Sequence, residues 1–388
     1  MTTNRTPAVL VLADGTTFPG FAFGAEGSVY GEAVFTTAMT GYQETMTDPS
    51  YHRQIVVATA PQIGNTGWND EDNESHNNQI WVAGLVIRDL AHRVSNWRAE
   101  RGLEDEMKAQ GIVGIYGVDT RSVVRHLRNY GSLAAGVFTG AEAEGDVEKL
   151  VAKVKEQPSM AGADLAADVS TDEAYVVPAE GEKRYTVVAY DMGIKSATPG
   201  HFAKRGIETV VVPANTPFAQ IDQYHPDGVF ISNGPGDPAT ADAMVAVARD
   251  VIEHKVPLFG ICFGNQILGR ALGLDTYKMK FGHRGVNVPV KNHMTGKIDI
   301  TSQNHGFALK APDGVGAGGK FDTDFGPAVI THTCLNDGVV EGVALQSGMA
   351  YSVQYHPESA AGPHDANPLF DQFIELLDAQ KRGGADNK

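Results

Sequence analysis

Gly260-Ile261-Cys262-Phe263-Gly264 stands where an apolar run, VPLFGI, gives way to a helical pattern, NQILGRALG. A cysteine on such a strand-to-helix elbow is placed for nucleophilic attack, and the flanking glycines permit the tight turn. The helix start behind it favours the thiolate, which is the reactive form. Backbone N–H groups just after the nucleophile are suited to an oxyanion. Taken alone, the pentapeptide also fits a small buried thiol.

Two further segments bear on the elbow. Ser232-Asn233-Gly234-Pro235-Gly236-Asp237-Pro238 follows the strand-like GVFI and can aim backbone N–H groups into a strand-end crevice. It lacks the lysine and spacing of a phosphate-binding P-loop, and alone it fits an ordinary turn. Gln354-Tyr355-His356-Pro357-Glu358 follows AYSV. In an extended segment His356 and Glu358 point to one side, so the carboxylate can orient the imidazole and support its charged form. A metal reading lacks a third ligand at suitable spacing. Alone, the segment fits a polar surface loop. Together the three pieces form a nucleophile, oxyanion donors and an oriented base, in chain order Cys, His, Glu. Cys334 in THTCLNDG has no elbow and reads as structural.

The elements that must position these residues lie in the second half. YTVVAYD, a helix near 195–205, ETVVVPA, GVFISNG, a helix over 239–254 and VPLFGIC alternate in a way that predicts a parallel sheet covered on both faces. Ligand chemistry is expected at the carboxyl ends of those strands. The first half reads as β-rich. AVLVLADGTTFPGFAF predicts a hairpin turning at Asp14-Gly15, and RQIVVATA and QIWVAGLVI predict strands. Two helices are predicted over 119–130 and in DVEKLVAKVKEQ, with Asp119 as cap and Gly131 as terminator of the first. The polar stretch 168–184 reads as a linker. The expected organisation is a β-rich mixed domain over 1–167, that linker, and a doubly wound α/β domain over 185–388.

The chain has 388 residues, enough for two domains, and is 42% hydrophobic and 20% charged. Its 31 basic and 47 acidic residues give a formal charge of −16, against a nucleic-acid partner. No run suits a membrane span or a signal peptide, and two cysteines make no disulfide framework, so a cytoplasmic location is expected.

The Cys262, His356 and Glu358 set resembles the class I, or triad, glutamine amidotransferases. The first half narrows the match. Thr40-Gly41-Tyr42-Gln43-Glu44, Thr47-Asp48-Pro49-Ser50-Tyr51 and Pro61-Gln62-Ile63-Gly64-Asn65 are similar to segments of carbamoyl-phosphate synthetase small subunits. The likeness continues through Gly117-Val118-Asp119-Thr120-Arg121 to Gly362-Pro363-His364-Asp365, nearly the whole chain. The resemblance implies Cys262 as nucleophile, His356 as acid and base, and Glu358 as its orienting partner. It also implies a glutamine site lined by Ser50, Gly234, Gly236, Phe263, Gln266, Asn304, Gly306 and Phe307. Two departures stand out: many members carry His at the position of Asn265, and the glycine-rich stretch 311–320 resembles a local insertion.

By that resemblance, the Cys262 thiolate attacks the glutamine amide, His356 protonates the departing ammonia, and water releases glutamate from a γ-glutamyl thioester. The implied partner is a large subunit that makes carbamoyl phosphate from bicarbonate and ATP, in a heterodimer that can assemble further. Neither metal nor cofactor is expected in this chain, with ATP and Mg in the partner. Three rivals remain open: an amidotransferase subunit of another synthetase, a stand-alone γ-glutamyl cysteine hydrolase, and a non-catalytic scaffold. Co-purification separates the first, full activity without a partner marks the second, and the intact triad speaks against the third.

Overall fold

A computed structural model describes residues 5–385, which fall into two units, Met1–Met160 and Ala161–Lys388. In the first, alternating apolar residues curl seven strands into a closed barrel. Their order is Pro7–Leu12, Thr17–Gly24, Val113–Tyr116, Gly84–Val86, Gln54–Ala58, Ser28–Thr36 and Leu133–Thr139, which returns to the first. Closure leaves no unpaired edge in the ring. The predicted hairpin turns at Asp14-Gly15, where the Thr16 N–H donates to Asp14 Oδ1 at 2.9 Å.

Both predicted helices of this half are present. Thr120–Tyr130 starts where the Ser122 N–H donates to the Asp119 carboxylate at 3.1 Å, and ends at Gly131. Its Val123 and Leu127 are buried in the cluster of Leu10, Ile55 and Ile115, each worth about 1.5–3 kcal/mol of burial. Val147–Lys155 buries Leu150 and Val154 against Val11 and Phe138. The strand expected over QIWVAGLVI shrinks to Gly84–Val86. Ile80 and Val82 are buried, but their N–H groups donate to Gln110 Oε1 and the Met46 carbonyl. Their apolar character reflects burial rather than strand pairing.

In the second unit, five parallel strands lie in the order Ile207–Pro213, Tyr185–Asp191, Gly228–Ile231, Leu258–Ile261 and Ala350–Val353. Alternate residues of Tyr185–Asp191 serve opposite faces. Val188 and Tyr190 join helices Asp242–Glu253 and Phe263–Ala271, while Val187 and Ala189 join Ala197–Ala203 and the C-terminal helix Leu369–Ala385. An antiparallel half extends the same sheet through Val340–Leu345, Ile298–Leu309, Thr276–Asn292, Gly326–Cys334 and Lys320–Thr323. The stretch 168–184 is not a bare linker. Tyr175–Val177 adds an antiparallel edge strand to Ile207–Pro213, and three residues are too few to register as a period. The glycine-rich stretch forms the turns between Ile298–Leu309 and Lys320–Thr323.

Candidate active site

The elbow is a place of backbone conflict. Cys262 adopts φ 54° and ψ −100°, outside the regions comfortable for a side-chain-bearing residue. The surroundings over-determine it. Its N–H donates to the Val353 carbonyl at 2.9 Å, and the Gly264 N–H donates to the Ser232 carbonyl at 3.1 Å. A Cβ on Gly264 would lie 2.1 Å from the Ile231 carbonyl oxygen, and one on Gly260 would lie 2.6 Å from the Gly264 oxygen. Only glycine fits either position. The nucleophile is thereby lifted to the start of helix Phe263–Ala271, and the Phe263 N–H, at the helix's first position, has no intrahelical acceptor. Cys262 is buried, and its sulfur lies 3.7 Å from the Asn304 carbonyl oxygen.

His356 and Glu358 follow strand Ala350–Val353, and the His356 N–H is anchored on the Ser302 carbonyl at 2.9 Å. His356 Nδ1 lies 2.6 Å from Glu358 Oε1, which fixes Nδ1 as the proton-bearing nitrogen toward the carboxylate. Nε2 has no hydrogen-bond partner among the described residues. Burial and the Lys195 ammonium oppose a charge on His356, but the Glu358 carboxylate and the Cys262 sulfur outweigh them and raise it to about 10. Burial likewise opposes the Glu358 charge, yet His356 and Lys195 bring that carboxyl down to about 2. The arrangement places a protonated imidazole beside the Cys262 sulfur.

Lys195 is the residue that the motifs did not reveal. Its ammonium lies 3.6 Å from Glu358 Oε1, and both side chains are shielded from solvent. It is held by the turn after strand Tyr185–Asp191, where Asp191 Oδ1 accepts from the N–H groups of Gly193 and Ile194. A lysine at a parallel strand's carboxyl end was the available signal.

The expected glutamine-pocket residues of this unit cluster around the elbow. Gln266 Nε2 donates to the Phe307 carbonyl at 2.8 Å, joining the elbow helix to the strand that carries Asn304 and Gly306. The Gly234–Gly236 loop is braced from the same side, with Ser232 Oγ accepting from Met192 N–H at 3.0 Å and Asn233 Nδ2 donating to the Gly193 carbonyl at 2.8 Å. Asn265 is fully buried; its Nδ2 donates to Gln354 Oε1 at 3.0 Å and its Oδ1 accepts from Ser352 Oγ at 2.9 Å. It stitches the elbow helix to the segment leading to His356, without reaching the chemistry itself. Ser50 belongs to the first unit, buried in the turn Pro49–Tyr51 with its N–H on Asp48 Oδ1 at 2.9 Å. Cys334 is buried and burial pushes its thiol up to about 12, the behaviour of an inert structural cysteine.

Comparison with known proteins gives two family matches along the chain. Residues 10–137 match the carbamoyl-phosphate synthase small chain, CPSase domain, and residues 188–376 match the class-I glutamine amidotransferases. Among curated proteins, the carbamoyl phosphate synthase small chain of Corynebacterium glutamicum is 72% identical over 379 residues, covering 97% of this chain and 95% of that one. The small chain of Corynebacterium diphtheriae is also 72% identical, covering 98% and 99%. That of Mycobacterium tuberculosis is 63% identical, covering 97% and 99%.

Proposed function

Since the chain belongs to the family of carbamoyl phosphate synthase small chains, we propose that Cys262, His356 and Glu358 carry out its glutaminase reaction. The protein is the glutamine-hydrolysing subunit of carbamoyl-phosphate synthase, serving pyrimidine and arginine biosynthesis. The observation that carries the residue assignment is the buried His356–Glu358 contact of 2.6 Å beside a cysteine forced to positive φ.

The Cys262 thiolate attacks the side-chain carbonyl carbon of glutamine. The Phe263 N–H and the Gly234–Gly236 loop receive the developing oxyanion. His356 Nε2, free of a competing partner among the described residues, delivers its proton to the departing nitrogen. Ammonia leaves a γ-glutamyl thioester on Cys262. His356, now neutral, takes a proton from water, and the hydroxide formed releases glutamate and regenerates the thiolate. Glu358 stays ionised throughout and holds the ring, as its low pKa requires. Gln266, Asn304, Gly306 and Phe307 line the glutamine site.

The partner is a large synthetase subunit, bound as a heterodimer, which consumes the ammonia with bicarbonate and ATP. ATP and Mg belong to that subunit, and this chain carries out its own step with side chains and backbone alone. No helix of the described residues is long and apolar enough to cross a membrane. We place the pair in the cytoplasm, where glutamine and ATP are found together, with no role for nucleic acid.

The test is glutamate release from glutamine by the purified chain, alone and with its large subunit, ATP and bicarbonate. Weak release alone that rises strongly with the partner supports a coupled subunit. Full release alone, unchanged by the partner, would turn the assignment toward a free-standing hydrolase.

A further inference from the structure

Three strands of the antiparallel half bring His283, His305 and Glu341 together, with ligand atoms that all lie within 4.8 Å of one another. None of the three belongs to the triad. The hydrogen bonds around them leave more acceptors than protons at the centre. His305 Nδ1 faces the Phe307 carbonyl at 2.8 Å and must donate to it. With Nδ1 donating to that carbonyl, Nε2 of the neutral ring carries the lone pair. That lone pair faces Gln303 Oε1 at 2.9 Å.

Thr301 Oγ1 donates to the Val288 carbonyl at 2.8 Å, so it can only accept from Gln303 Nε2, at 3.2 Å. Gln303 Oε1 lies between His305 Nε2 and His283 Nδ1, the latter at 3.0 Å. Glu341 is fully buried, with Oε1 3.2 Å from His283 Nδ1 and Oε2 without a partner among the described residues. His283 turns its other nitrogen, Nε2, to the exposed Asp337 carboxylate at 2.8 Å. Each histidine thus has one nitrogen directed outward to an oxygen and the other directed inward. This is the outer-sphere pattern that sets the tautomer of metal-bound histidines.

We propose that His283 Nδ1, His305 Nε2 and Glu341 bind a divalent cation of the zinc type, with Gln303 Oε1 as the fourth donor. Two imidazoles and a carboxylate suit zinc better than calcium or magnesium, which prefer all-oxygen sites. A tetrahedral zinc with ligands at about 2.0–2.2 Å spaces them about 3.3 Å apart. The His283–Glu341 and Gln303 distances already match. The His305 Nε2 to Glu341 Oε1 gap of 3.9 Å closes by a shift of about half an ångström. Four protein ligands and burial make this a closed, structural site. It would clamp the strand that presents Asn304, Gly306 and Phe307. It would also hold the Glu341 backbone, whose carbonyl accepts from Gln354 N–H at 2.8 Å, two residues before His356.

The experiment uses the full-length Cys262→Ala chain, so that the nucleophile cannot itself capture the ion. Cobalt(II) is titrated as the spectroscopic probe, and bound zinc is counted after dialysis. One equivalent of cobalt with the intense visible bands of a tetrahedral site, and close to one retained zinc, is the expected result. Glu341→Gln should abolish it. Because that variant can fail to fold, Asp337→Asn serves as the second: it removes the carboxylate charge facing His283 Nε2 and should weaken binding about 10–100-fold. Failure to retain either ion, or unchanged affinity in Asp337→Asn, would overturn the site. So would a sulfur-to-cobalt band that disappears in Cys334→Ser. That would move the ion to the overlapping set of His283, Cys334 and Asp337.

Discussion

His356 Nδ1 lies 2.6 Å from Glu358 Oε1, with both side chains sealed from solvent and the Lys195 ammonium 3.6 Å from the same carboxylate oxygen. The carboxylate is the main reason the imidazole holds its proton to about pH 10 despite burial. In Glu358→Gln that support is lost, so His356 should titrate at lower pH and the imidazolium that serves as acid should be lost sooner as pH rises. The expected outcome is a fall in glutamine turnover of about 100-fold or more, with the alkaline limb of kcat/KM displaced to lower pH. A reduced rate with an unmoved alkaline limb would mean that Glu358 only fills space.

The same pair makes stability depend on pH in two opposite senses. Glu358, depressed from 4.5 to about 2, contributes stability that is complete above its unfolded value and is lost as pH falls through about 2. His356, raised from 6.5 to about 10, contributes stability that is complete below 6.5 and is lost as pH rises through about 10. Lys195 works on the acid side by lowering Glu358, so in Lys195→Met the carboxyl should take up its proton at higher pH. On acidification the urea midpoint of both proteins should begin to fall near the unfolded carboxyl value, but that of the variant should level off at a higher pH and lose less in total. Parallel acid limbs for the two proteins would remove Lys195 from the account.

The parallel half of the second unit was legible because each of its strands is buried on both faces, and near-continuous apolar runs such as YTVVAYD and VPLFGI leave few other readings. The elbow was legible for a different reason. A cysteine between two glycines at a strand–helix junction has a steric signature, and the Cβ clashes at Gly260 and Gly264 are its physical content. The antiparallel half was not foreseen. Thr276–Asn292 shifts register twice against its neighbour, and such shifts break the period of two by which a strand is recognised. Lys195 and the His283, His305 and Glu341 group were missed because their partners lie far away in sequence. His283 and Glu341 are 58 positions apart, and no local spacing records that proximity.

Gly264→Ala tests the steric reading of the elbow directly. The new methyl group would sit 2.1 Å from the Ile231 carbonyl oxygen, which is backbone and cannot rotate aside. Overpacking of this sort costs about 1–3 kcal/mol, so the melting temperature should drop by several degrees and glutamine turnover should fall with the displaced elbow. Gly273→Ala is a contrasting control. Its Cβ would meet no neighbour, and any loss there comes from its positive φ of 90° alone. If the two variants melted together, crowding would not be what keeps glycine at 264.

Cys262 itself supplies the sharpest separation of chemistry from stability. Cys262→Ala removes the sulfur but leaves a side-chain-bearing residue at φ 54° and ψ −100°. The complex built on it should lose glutamine-dependent carbamoyl phosphate synthesis and keep synthesis from added ammonia, because the partner's chemistry does not pass through this chain's nucleophile. Cys262→Gly should be equally inactive with glutamine. Glycine, however, reaches that backbone conformation without strain, which releases about 1–3 kcal/mol, against about 0.5–1 kcal/mol of extra chain entropy lost on folding. The glycine variant should therefore melt above the alanine variant, by up to several degrees. That order would show that the fold holds the nucleophile in a conformation it would not otherwise adopt. The reverse order would mean that the elbow carries no strain, and that the positive φ of Cys262 follows from its hydrogen bonds at no cost.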